Sequence, residues 1–126
     1  MGLLDSIKDI FIKKDIFEKI KGYAEEGNSG KLAKLVSEGN PMEIRLAAID
    51  ALKEVKMDDL GVKTLMGLLK DDTKEIVIAA CNSLKRVGTK RELEELRFKA
   101  ENSEDEEISK ALTEAAVEAK ERTPRF

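Results

Sequence analysis

The chain contains no histidine and no tryptophan, one cysteine and two prolines, and its aromatic side chains are four phenylalanines and one tyrosine. Each shortage excludes some chemistry. Without histidine, and with a single thiol, a conventional zinc site and the Ser-His-Asp or Cys-His nucleophiles are out of reach. Cys81 has no second cysteine with which to form an internal bridge. No apolar run approaches the roughly 20 residues of a membrane span. Met1 to Lys14 lacks a cleavable apolar core because Asp5, Lys8 and Asp9 interrupt it, so a cytoplasmic protein is expected. Cation surplus is missing too: 23 Lys and Arg stand against 26 Asp and Glu, a formal net charge of −3, which argues against nucleic-acid binding. The imbalance is local. Residues 1–40 and 41–90 balance at 0 and +1, and residues 91–126 carry −4.

What is present points to helix. Hydrophobic residues make up 41% of the chain and charged residues 39%, with Ala, Leu, Lys and Glu abundant, as in an all-α globular domain. Its 126 residues suit one domain able to bury a core without disulfides or metal. Leu3, Leu4, Ile7 and Phe11 form one helical stripe, and Ile16, Ile20, Tyr23 and Ala24 form a second in a different phase. Asp15 and Glu18 have capping-box spacing, so a helix break is expected near Lys14. Met1-Gly2-Leu3-Leu4-Asp5-Ser6 satisfies the loose acylation pattern beside the basic Lys13-Lys14 pair, but so short a motif matches often by chance. The expected role of this segment is to cap a helical stack. Gly27-Asn28 ends it, and a short helix through Leu32, Leu35 and Val36 stops at Gly39, expected in a left-handed conformation.

A repeat then sets the architecture. Residues 40–55 and 72–87 share seven of sixteen positions at a spacing of 32: Glu43/Glu75, Ile44/Ile76, Ala47/Ala79, Ala48/Ala80, Leu52/Leu84, Lys53/Lys85 and Val55/Val87. A weaker third copy keeps Glu107, Ile108, Ala111, Ala115 and Glu118. Asn40, Asp72 and Ser103 are the expected N-caps of these helices, and Thr89 with Glu92 makes a capping box for another. A helix precedes each copy, carrying Leu60, Leu65, Leu68 and Leu69 in one case and Leu93, Leu96 and Ala100 in the next. The unit is a helical hairpin. Such hairpins bury their apolar stripes by stacking on one another.

At Glu43-Ile44-Arg45-Leu46-Ala47-Ala48-Ile49-Asp50-Ala51-Leu52 the sequence resembles the short HEAT-like repeats of the phycobilisome-lyase type. There, the second helix opens with an acidic residue, an aliphatic residue and Arg, followed by paired Ala and Ala-Leu. The second copy has Val77 in place of Arg, and the third has Ser109 and lacks the Leu. The tetratricopeptide and ankyrin signatures are missing. The resemblance implies a right-handed α-α superhelix, a HEAT-like α-solenoid, of about four stacked helical hairpins. Its expected parts are a divergent helical pair over 1–26, three repeats at 29–55, 59–87 and 90–122, and a tail at 123–126. Ala47, Ala48 and Ala51 let neighbouring helices approach, while Ile44, Leu52 and Val55 fill the seam.

No catalytic, cofactor-binding or metal-ligating set emerges. The His-Glu metal sites of HEAT-like hydroxylases cannot be built without histidine, HEAT-like DNA glycosylases use aromatic and basic surfaces, and no residue set suits a bilin. The acidic run Glu104-Asp105-Glu106-Glu107 reads as charge at a helix start. In such arrays the second helices line the concave side. A partner-binding stripe is therefore expected there, with Leu46, Ile49, Ile78, Cys81 and Asn82 rimmed by Arg45, Lys53, Lys85 and Arg86. The expected function is a non-enzymatic protein-interaction scaffold. A bilin-lyase or isomerase-like enzyme or its accessory subunit, and a purely structural homo-oligomer, are the alternatives.

Overall fold

The computed structural model describes residues 3–56 and 58–124, with side chains from Lys14 onward. The motif at Met1-Gly2, the side chains of Leu3, Leu4, Ile7 and Phe11, and the tail residues Arg125 and Phe126 lie outside the described residues. Among the described residues there are seven helices and no strand: α1 (Leu3–Glu26), α2 (Ser29–Leu35), α3 (Met42–Leu52), α4 (Asp59–Leu68), α5 (Lys74–Val87), α6 (Leu93–Asn102) and α7 (Glu106–Ala119).

The N-terminal segment is one helix, not a pair. The break expected near Lys14 is absent, since no Gly or Pro lies near it and Asp15 pairs with Lys19 one turn on, at 3.1 Å, instead of capping a new start. Gly27 ends α1 at φ +70°, where its missing side chain removes the left-handed penalty. The Gly27 amide donates to Ala24 and the Asn28 amide to Tyr23, the paired bonds of a Schellman motif. Asn28 then caps α2, its side chain accepting from the Lys31 amide at 3.2 Å.

Helices α2/α3, α4/α5 and α6/α7 are three hairpins stacked in two layers. The second helices form a continuous layer, α1 on α3, α3 on α5 and α5 on α7, while α2 and α4 meet in the other. The core runs along the interface between layers. Leu32, Leu65 and Leu96 are fully buried in the three first helices, and Leu52, Leu84 and Ala116, one repeat position on the second helices, are buried in the same core. Ala48 and Ala80 are fully buried, so close helix approach depends on their size.

Three helix starts differ from expectation. Asn40 does not cap α3: its side-chain amide donates to the Lys34 carbonyl and the Ser37 hydroxyl, both at 3.2 Å, closing the α2–α3 turn, and the Pro41 carbonyl begins α3. That closure replaces the left-handed glycine expected at Gly39, because among the described residues Gly27 is the glycine with positive φ. At α5 the cap position is Thr73, held by Asp71 and not Asp72, with the Asp71 carboxylate accepting from the Thr73 amide at 2.8 Å. At α7 the cap is Asp105, which accepts from the Glu107 and Ile108 amides at 2.9 and 3.1 Å, while Ser103 braces Asp105 from behind. The reciprocal bonds of the box at Thr89 and Glu92 form, with Glu92 accepting from the Thr89 amide at 2.8 Å and the Thr89 hydroxyl from the Arg91 amide at 3.3 Å, but they lie in the turn before α6, whose own cap position is Glu92. Just before it, Gly88 sits where a Cβ would lie 2.8 Å from the Leu84 carbonyl oxygen.

Candidate functional site

Of the nine residues expected on the partner-binding stripe, three are buried. Arg45 is 6% exposed, Ile49 is 0% and Cys81 is 1%. Ile49 and Cys81 occupy one repeat position, and its third member, Thr113 on α7, is exposed. That position therefore lies in the seam towards the following second helix, and is open only on α7, where no further helix follows among the described residues. Burial pushes the Cys81 thiol up to about 12, which keeps it protonated and inert.

Arg45 fastens adjoining repeats. Its Nε donates to the Val36 carbonyl at 2.9 Å and its Nη2 to the Asp71 carboxylate at 2.9 Å. The Thr73 amide, and after it the Arg45 guanidinium, hold the Asp71 carboxyl below the usual carboxylate range. Ser109 stands at the equivalent place in the third hairpin and reaches the carbonyl nine residues back, Ala100, at 2.8 Å, as Arg45 reaches Val36. Val77 occupies that place in the second hairpin. There the link to the next repeat is Lys74, whose Nζ meets Asp105 at 3.0 Å and Glu107 at 3.2 Å. The acidic run at 104–107 thus caps α7 and holds Lys74, and among the described residues no group of acidic or thiol side chains is arranged to hold a metal.

The remaining six residues, Leu46, Lys53, Ile78, Asn82, Lys85 and Arg86, reach the surface of the second-helix layer. Four of them, Lys53, Asn82, Lys85 and Arg86, line an open groove of about 430 Å³ together with Asp50, Glu118 and Arg122. Residues of α3, α5 and α7, with Arg122 just beyond α7, make this groove and first helices contribute nothing to it, so it lies on the open face of the second layer. Leu46 and Ile78 share one repeat position on that layer and are both half-buried.

Sequence reasoning missed Glu118 and Arg122. Glu118 was visible as a repeat identity with Glu54, yet its place in the groove is set by how α7 packs on α5. Arg122 belongs to no repeated position. Its Nη2 donates to the Lys85 carbonyl at 2.7 Å and its Nη1 to the Gly88 carbonyl at 3.1 Å, while its own carbonyl accepts from the Lys90 amide at 2.9 Å. One side chain thus fixes the end of α5 against the end of α7. Asp50 pairs with Lys53 at 2.8 Å, Lys85 with Glu114 at 3.7 Å, and Arg122 with Glu118 at 4.0 Å.

Stacked helical hairpins of this kind define an α-solenoid, a helical-repeat architecture. The family model for HEAT repeats matches residues 30–117, and the chain belongs to that family. HEAT repeats generally mediate contacts between proteins. No curated protein and no solved structure matches the chain. No helix among the described residues is long and apolar enough to cross a membrane.

Proposed function

We propose that this chain is a non-enzymatic, cytoplasmic interaction module that binds another protein across the open face of its second-helix layer. The observation that carries this reading is the groove to which all three hairpins contribute, each supplying charged side chains to one surface. Leu46 and Ile78, half-buried on the same layer, add apolar area of the kind found at interface centres. The buried Arg45, Ile49 and Cys81 take no part, because they hold the stack together.

The test is affinity capture from the native host with the parent and with Leu46→Glu/Ile78→Glu. Both positions are half-buried, so the variant is expected to fold, which circular dichroism checks. Loss of the parent's partners from the folded variant is the expected result. Recovery of the same partners at the same yield would remove the open face from consideration.

A further inference from the structure

We infer that the groove on the second-helix layer takes an acidic segment of a partner protein, with Arg86 as the principal carboxylate-binding residue. This deepens, and rests on, the reading of that layer as the docking face. Its charge is opposite to that of the chain. The whole chain carries −3, whereas the groove has four cations, Lys53, Lys85, Arg86 and Arg122, against two anions, Asp50 and Glu118, a balance of +2. The two anions are already engaged, Asp50 by Lys53 at 2.8 Å and Glu118 by Arg122 at 4.0 Å.

Arg86 differs from the other three cations. Lys53, Lys85 and Arg122 each hold an ion pair, and Arg86, exposed on the last turn of α5, makes none with any described residue. Basic residues at a helix end commonly serve the terminal carbonyls. Here that duty falls elsewhere: Arg122 takes the Lys85 and Gly88 carbonyls, and the Gly88 amide takes that of Leu84. The Arg86 guanidinium is left with its planar array of donors unengaged, the arrangement that binds a carboxylate in bidentate fashion. Nucleic acid is the competing polyanion, and the chain's overall charge of −3 disfavours the long cationic track that a phosphate backbone needs.

The probe is a short fluorescent peptide alternating Glu and Ser, read by anisotropy against the full chain, with a Lys/Ser peptide and single-stranded oligothymidylate as comparisons. The acidic peptide is expected to bind selectively and to weaken as salt is raised. Arg86→Ala should weaken it about tenfold, and Arg86→Glu should abolish it, with the thermal midpoint of both variants unchanged. No binding of the acidic peptide, equal binding by Arg86→Glu, or equal affinity for either comparison probe would overturn the assignment. If it is overturned while Leu46→Glu/Ile78→Glu still loses its partners, the open face stands and its acidic preference falls. If that variant keeps them as well, both readings fail.

Discussion

Replacing Arg45 probes how neighbouring repeats are joined, and the chain supplies its own replacements. The second hairpin has Val77 at this position, and the position of Asp71 is Ser103 in the next repeat. Arg45→Val removes two donors that are 2.9 Å from the Val36 carbonyl and the Asp71 carboxylate. Both partners would remain in a site where the Arg and Asp side chains are only 7% and 9% exposed. Removing one member of a buried pair costs about 3–5 kcal/mol. Asp71 keeps the Thr73 amide, so the lower end, about 3 kcal/mol, is expected. Asp71→Ser alone should also destabilise, because it strands the guanidinium. The double variant Arg45→Val/Asp71→Ser removes both charges together, and should be more stable than the sum of the single losses allows by about 2 kcal/mol. Urea denaturation followed by circular dichroism measures all three. Strict additivity, or a loss below about 1 kcal/mol for Arg45→Val, would refute the claim that this pair couples the repeats.

Other expectations concern the core, the thiol and the acid limb. Leu84 is fully buried between the layers, so Leu84→Ala should cost about 2–5 kcal/mol in a denaturant titration, whereas an unchanged midpoint would contradict the packing described. Cys81 should resist a thiol reagent in the native protein and react on unfolding, and native labelling at the unfolded rate would contradict its burial. The Asp105 carboxyl is held below its usual range by Lys74 and then by the Ile108 amide. A depressed folded value contributes stability that is present above the unfolded value, about pH 4, and is lost as pH falls through the folded one. Asp105→Asn should therefore flatten the acid limb of the stability profile, and an unaltered limb would assign that dependence to other groups.

The repeat made the fold class legible, because identities spaced by 32 residues lie on successive second helices. Local propensity was less reliable wherever several capping residues crowd one turn. At Asp71-Asp72-Thr73 and Ser103-Glu104-Asp105 the sequence offers competing caps, and the turn that joins the two layers decides between them. Near Lys14 a change of stripe phase suggested two helices, but a phase change alters which side is buried and leaves the backbone hydrogen bonds intact. Exposure along the expected stripe was only partly legible, since six of its nine residues reach the surface and three do not. On a helix, one position turns a side chain by about 100°, enough to move Ile49 and Cys81 from an open face into the seam between second helices. Arg45 looked like surface charge because its partners, Val36 and Asp71, come from a different helix and from the next repeat.

The open face of the second-helix layer as the docking surface is tested most directly by photocrosslinking in the native host. A photoreactive residue is placed at Asn82, exposed in the groove, or at Phe98, 66% exposed on the first-layer helix α6. Crosslinks to a discrete partner from position 82 and none from position 98 are predicted. The same partner captured from position 98 and not from position 82 would contradict the account.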